Sequence, residues 1–251
     1  MNRPPRQSFL IFGQPQILEP EIEEVVDSLR AGWLGTGPKV MRFKQAFAAY
    51  QRLPGIEHVT AVNSCTAALH LSCLAAGLEP GDEVITTAMT FCATVNAIIH
   101  SGATPVLADC EPDTMNISVD SIAARITPRT RAIVPVHFAG RICDMPAIKQ
   151  LADKHGLKII EDCAHAIETE VDGQKAGTLG DFGCFSFYAT KNVCTGEGGM
   201  IVARRLEDAH RLERLALHGM SHDAWKRFSD AGFKHYHVVE CRYKYNMKGL
   251  T

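Results

Sequence analysis

Phe185-Ser186-Phe187-Tyr188-Ala189-Thr190-Lys191-Asn192-Val193-Cys194-Thr195-Gly196-Glu197-Gly198-Gly199-Met200 is the stretch whose reading decides the fold. An apolar run ends at Phe187, a lysine follows, a glycine-rich turn comes next, and a second apolar run starts at Met200. Strand, lysine-bearing loop, strand is the implied order, and it suits an amine that must reach a bound carbonyl group at the edge of a sheet. Taken alone, Lys191 is equally a solvated loop lysine.

Working outward from this stretch, short apolar runs alternate with helical patterns from about Ile56 onward, as in a sheet wound by crossover helices. The pattern predicts strands at His58–Val62, Glu83–Thr87, Thr104–Asp109, Ala132–His137, Lys158–Glu161, Gly183–Phe187 and Met200–Ala203. Several are apolar throughout, as strands are when both faces of a sheet are covered. Helices are predicted at Ala67–Ala76, Phe91–Ser101, Val119–Arg125, Met145–His155 and Leu206–Leu217, with Gly77, Gly102 and Gly156 placed to end three of them. The class is α/β, with most connections parallel and right-handed. Two amphipathic segments, Glu19–Ala31 and Lys39–Gln51, precede the sheet and are joined by Gly32-Trp33-Leu34-Gly35-Thr36-Gly37-Pro38. They read as an N-terminal appendage. The expected partition is 1–55 for the arm and its helices, 56–240 for the main domain and 241–251 for the start of a further region.

The 251 residues are 46% hydrophobic and 22% charged, an ordinary globular composition. A formal net charge of −2, with Lys and Arg scattered along the chain, disfavours a nucleic-acid partner. No run has the length of a signal peptide or a membrane span, so a cytoplasmic protein is expected, with no membrane partner. The nine cysteines are odd in number, include no C-x-x-C pair and sit mostly in apolar segments. Reduced thiols are expected, with neither a disulfide framework nor a metal site.

Two further segments bear chemistry. Ile159-Ile160-Glu161-Asp162-Cys163-Ala164-His165-Ala166 is an apolar strand ending in a carboxylate. Such a carboxylate can face the protonated ring nitrogen of a cofactor, although Asp162 alone reads as well as the cap of a following helix, and His165 as a core or surface histidine. Ala61-Val62-Asn63-Ser64-Cys65-Thr66-Ala67-Ala68-Leu69 is a strand, small polar residues and a helix start. Free N–H groups there suit a phosphate; a plain N-cap by Ser64 or Thr66 is the alternative.

Together, in this order, the three segments resemble the DegT/DnrJ/EryC1/StrS family of pyridoxal phosphate (PLP)-dependent sugar aminotransferases. That family carries S-[GC]-T-A-A-L, E-D-x-A-[HQ], and F-S-F-x-x-x-K-N followed by G-E-G-G. The likeness extends to G-W-L-G-T-G-P, T-P-V-L-A-D and Leu217-His218-Gly219. It implies a fold-type I large domain, a mostly parallel sheet between helices, and a homodimer with a shared active site.

Carried over position by position, the resemblance implies Lys191 as the Schiff-base lysine and Asp162 as the partner of the pyridine nitrogen, with His165 beside the ring hydroxyl. Ser64, Cys65, Thr66 and Ser186 would cradle the phosphate, Cys65 through its backbone in place of the usual glycine. Phe91, within Thr90-Phe91-Cys92-Ala93-Thr94, matches the aromatic that stacks on the ring; as a helix aromatic facing a sheet it reads equally as core. Asn246, within Tyr243-Lys244-Tyr245-Asn246-Met247, matches a residue donated by the neighbouring subunit.

The activity implied is transfer of an amino group from glutamate to a nucleotide-linked keto sugar, of the kind that feeds cell-surface polysaccharide, lipopolysaccharide or antibiotic sugars. Relatives that dehydrate sugars replace the lysine by histidine, so Lys191 argues against that alternative. Family members continue past this point into a long helix and a small C-terminal domain. Here Arg242 stands where glycine is usual and the chain reads Lys248-Gly249-Leu250-Thr251. The expectation is a truncated product, catalytically impaired or a remnant, without the small domain.

Overall fold

The computed structural model describes residues 7–220 and 237–250. Residues 1–6 and 221–236 of the expected 1–55 and 56–240 segments, and Thr251, lie outside the described residues. In chain order the elements are α1 Glu19–Ala31, α2 Pro38–Tyr50, β1 Val59–Val62, α3 Cys65–Ala75, β2 Glu83–Thr87, α4 Cys92–His100, β3 Thr104–Ala108, α5 Val119–Ala123 and β4 Thr130–Val134. They continue with α6 Met145–His155, β5 Lys158–Asp162, β6 Glu170–Val171, β7 Gln174–Lys175, β8 Phe182–Ser186, β9 Gly199–Ala203 and α7 Leu206–Ala216.

Seven strands form one sheet in the order β1-β9-β8-β5-β4-β2-β3. The pairs β8/β5, β5/β4, β4/β2 and β2/β3 are parallel, whereas β9 runs antiparallel to both its neighbours, β1 and β8. The strands β1, β2, β4, β5 and β8 therefore all point their carboxyl ends at one edge, where ligands bind in open α/β sheets. One face of the sheet packs against α3, α4 and α7 through Leu69, Leu71, Ile98, Leu212 and Leu215. The other is covered by α2 through Val40 and Phe47, and by α5 and α6 through Ile122 and Ile148. Apart from the edge strand β3, the strands of this sheet are almost wholly buried, which explains their apolar runs.

Local sequence sets the element ends. Helix α6 begins at Asp144, whose side chain accepts from Ala147 N–H at 3.1 Å, has Pro146 in its first turn, and ends at Gly156 in the left-handed conformation. Strand β4 was expected to reach His137 but closes at Val134, because Pro135 has no N–H to give the ladder. Helix α2, expected as part of an appendage, instead sets Phe47 edge-on to Phe185 at 5.0 Å and joins their core cluster. The β6–β7 hairpin had no counterpart in the predicted elements: two-residue strands are too short for a periodicity to register.

Candidate active site

Three strand ends meet at the carboxyl edge. Val62, at the end of β1, and Ser186, at the end of β8, both pair with Gly199 at the start of β9. On the next strand Asp162 pairs with Cys184, two residues before Ser186. Strands β1, β8 and β5 run in one direction, so the segments after them carry Ser64, Asp162, Ser186 and Lys191 to one edge of the sheet.

The Ser64 turn opens α3. Ser64 is in extended conformation and its Oγ accepts from Ala67 N–H at 3.1 Å, so it is the N-cap. The N–H groups of Cys65 and Thr66, in the first turn, have no intrahelical carbonyl to meet, and with the helix dipole they form a place for an anion. A Cβ on Gly199 would lie 2.6 Å from the carbonyl carbon and oxygen of Ser64, so glycine is required for β9 to pass this turn. The cap and the anion cradle are compatible, since capping uses the Ser64 side chain and leaves those two N–H groups open.

Asp162 is 4% exposed. Its Oδ2 accepts from Thr94 Oγ at 2.7 Å and its Oδ1 from Ala164 N–H at 3.1 Å. The second bond makes a tight Asx turn, and the segment that follows is turn, not the helix that Asp162 was expected as a candidate to cap. Two accepted bonds leave carboxylate lone pairs for a further donor.

Lys191 lies in the loop between β8 and β9, half-buried, its N–H bonded to Tyr188 C=O at 2.9 Å. The loop is closed at its base by Phe187 N–H to Gly198 C=O and Thr195 N–H to Phe187 C=O, and is tied outward by Asn192 to Glu168 at 2.7 Å. Lys191 and Asp162 both act on Cys65 and on His165. Burial and then the Asp162 carboxylate push the Cys65 thiol well above its ordinary range, against the pull of Lys191. Burial and then Lys191 lower His165, against the pull of Asp162. Cys65 is therefore a neutral thiol, suited to take part through its backbone.

Phe91 is 78% exposed at the N-cap of α4, beside the same edge. It is not a core aromatic: an N-cap residue leaves the helix before its ring can turn toward the sheet. Its ring is free to act as a stacking surface. Asn246, expected as a residue given to a neighbouring subunit, pairs through its backbone with Val62 of its own chain, while its Nδ2 donates to Thr36 Oγ at 2.6 Å. The Gly-rich turn and the Tyr243–Met247 segment are thereby joined beside β1.

Three residues of this region escaped the sequence reading. Thr94 was not singled out, because Thr90 lies before the helix and the spacing of the two threonines carries no helical signal. Glu161 and His137 are fully buried and bonded at 2.9 Å. The Cys143 N–H points at His137 Nδ1, which puts the Nε2 proton toward Glu161; burial opposes a charged imidazole, but the contacts with Cys143 and Glu161 prevail and raise its pKa to about 10. Glu161 also accepts from the N–H groups of Gly177, Leu179 and Gly180. Cys163 completes a metal-like trio with them. Glu161 is already filled by four donors, and burial followed by the Glu161 charge holds the Cys163 thiol well above its usual range, so the cluster is a structural pin.

With this geometry in hand, the chain matches the model of the DegT/DnrJ/EryC1/StrS aminotransferase family over residues 15–251. The chain belongs to that family. It is 50% identical over 245 residues to the spore coat polysaccharide biosynthesis protein SpsC of Bacillus subtilis (strain 168), covering 98% of this chain and 62% of that protein. Among solved structures it is similar to Spr1654 from Streptococcus pneumoniae in its PLP form, provisionally described as a sugar aminotransferase, with a TM-score of 0.86 and 35% identity over 96% of this chain and 64% of that one. It is also similar to DesI, solved in the presence of its TDP-sugar product, with a TM-score of 0.81 and 36% identity over 96% of this chain and 58% of that one. The chain thus spans about three fifths of the length of these relatives, and its sheet is that of the fold-type I aminotransferases.

Proposed function

We propose that this chain carries the PLP-binding part of an enzyme that moves an amino group from glutamate to a nucleotide-linked keto sugar for cell-surface polysaccharide synthesis. The observation that carries the reading is the meeting, on one sheet edge, of the Lys191 amine, the buried Asp162 carboxylate and the uncovered start of α3. These groups fit PLP: an aldehyde, a ring nitrogen and a phosphate need an amine, an anion and a set of free N–H donors. The exposed Phe91 ring adds an apolar face for the cofactor ring, and Ser186 a hydroxyl near the Ser64 turn.

PLP, when bound, supplies the electron sink for the carbon that loses its proton. The chain supplies the rest. Asp162 would accept the ring N–H and keep positive charge on the ring. The Cys65 and Thr66 N–H groups, with Ser64 and Ser186, would hold the phosphate. Lys191 Nζ would be the base that takes the α-carbon proton of glutamate and returns it, and would serve in the reverse sense on the sugar. His165 would stand beside the ring hydroxyl, and Asn246 would complete the phosphate site of a partner subunit.

The names of SpsC and of DesI with its TDP-sugar product support a sugar substrate and a polysaccharide pathway. A homodimer in the cytoplasm, acting on soluble nucleotide sugars, follows from that reading. Among the described residues no helix is long and apolar enough to cross a membrane. The domain partition proposed is an N-terminal arm over 1–55, the PLP-binding body over 56–240 and the beginning of a further region from 241.

The test is to load the protein with PLP, add glutamate, and follow 2-oxoglutarate release and amino transfer to a panel of nucleotide-linked 4-keto sugars. Asp162→Asn should keep PLP yet turn over roughly 100-fold more slowly, as losing one aligned charge does elsewhere. Wild-type turnover in Asp162→Asn, or no 2-oxoglutarate from the unaltered protein, would contradict the reading.

A further inference from the structure

Among the described residues one side chain is hydrogen-bonded to Asp162: Thr94, which is 1% exposed and gives its hydroxyl to Oδ2 at 2.7 Å. Behind it, Thr90 Oγ lies 2.6 Å from Thr94 Oγ. A carboxylate oxygen only accepts, so the proton of Thr94 points to Asp162. The lone pair of Thr94 is then left to accept, and Thr90 must donate. The sequence of donors runs Thr90 to Thr94 to Asp162, and each bond polarises the next.

The two carboxylate oxygens of Asp162 are held from different elements. Ala164 N–H, from the turn after β5, takes Oδ1. Thr94, in the first turn of α4, takes Oδ2. One donor fixes one oxygen and leaves the carboxylate plane free to swing; two donors from separate elements fix the plane. Phe91 is the N-cap of α4 and its exposed ring marks the same edge, so one turn of chain supplies both the ring platform and the clamp.

Resting on the PLP reading above, we propose that Thr94, oriented by Thr90, is the positioning residue that aims the free lone pair of Asp162 at the cofactor ring nitrogen. Thr94 touches neither PLP nor substrate in this scheme. Its effect passes through Asp162 alone, so it must appear at the ring nitrogen and be restored by any residue that returns a hydroxyl.

The experiment loads the protein with PLP labelled with ¹⁵N in the ring and records the ring-nitrogen chemical shift against pH, together with retention of PLP on dialysis. The unaltered protein should show a protonated ring nitrogen across the range. Thr94→Val, close to threonine in size, should let that nitrogen lose its proton within the range and should weaken retention roughly tenfold, the usual effect of losing a bond to a charged group. Thr94→Ser should restore both. Thr90→Val, which leaves Thr94 in place, should move the signal the same way by less, and carries the test if Thr94→Val does not fold. An unaltered signal in Thr94→Val, or in Thr90→Val where that variant stands in, overturns the proposal, as does a Thr94→Ser variant that behaves like valine. An unprotonated ring nitrogen, or no PLP uptake, in the parent protein overturns the PLP reading itself.

Discussion

His137 holds two consecutive residues of β5 in two ways: its Nε2 meets Glu161 Oε2 at 2.9 Å, and its main-chain N–H meets Asp162 C=O at 3.1 Å. The loop after β4 is thereby locked to the strand end that carries Asp162. Glu161 also gathers the N–H groups of Gly177, Leu179 and Gly180, the turn that leads into β8 and so toward Lys191. One buried carboxylate ties together the two strands that bear the chemistry.

Glu161→Gln should therefore be among the most damaging single-atom changes in this chain. It removes the charge and turns an N–H₂ toward groups that can only donate. Breaking a buried, fully bonded ion site of this kind costs about 3–5 kcal/mol. Thermal or denaturant unfolding of the variant should show a loss of that order, and a loss within about 0.5 kcal/mol, as at surface sites, would show that the pin is not needed.

Gly199→Ala tests the fit of β9 against the anion cradle. The added carbon would sit 2.6 Å from the backbone of Ser64 and 2.8 Å from Cys65 N, atoms that cannot rotate away. The strand or the turn must shift, at a cost of about 1–3 kcal/mol, and PLP or free phosphate should bind more weakly as Cys65 and Thr66 move. Titration with inorganic phosphate reads this directly; unchanged binding would mean that the turn is not the anion site.

A pH effect is expected from His70. It is buried on α3, its Nε2 has no hydrogen-bond partner among the described residues, and it packs edge-on to Tyr243 at 4.9 Å. Burial first, then the nearby His100, lower its pKa from 6.5, against one raising main-chain bond to His100. The unfolded chain then binds the proton more readily than the folded one. The contribution of His70 to stability is complete above pH 6.5 and is lost as pH falls below it toward the lowered folded value. Melting temperatures at pH 7.5 and 5.5 should show the drop, and His70→Phe should shrink it. An equal drop in the variant would remove His70 as its source; His165, also lowered, would account for part of any remainder.

Much of this molecule can be read from sequence because its strands are buried on both faces. Continuous runs such as Glu83–Thr87 and Lys158–Asp162 announce themselves, and Gly77, Gly102 and Gly156 mark helix ends through their positive φ. The segments around Ser64, Asp162 and Lys191 stood out because strand-end positions collect chemistry. What stayed hidden depends on contacts between distant residues. Thr94 meets Asp162 across 68 positions, and His137 meets Glu161 across 24, with no local pattern to betray either. The position of α2 was missed for a like reason, since a half-apolar helix does not say which surface its Phe47 will find. Asn246 was read by likeness alone, and its bond to Thr36 spans 210 positions.

The central claim is that Lys191 is the amine that holds PLP. The direct measurement is to load the protein with PLP, reduce it with borohydride, digest it and map the modified peptide by mass spectrometry. The account predicts a single pyridoxyl label on Lys191, in the peptide that follows Phe185-Ser186-Phe187. A label on Lys158 or Lys175 with Lys191 unmodified would contradict it.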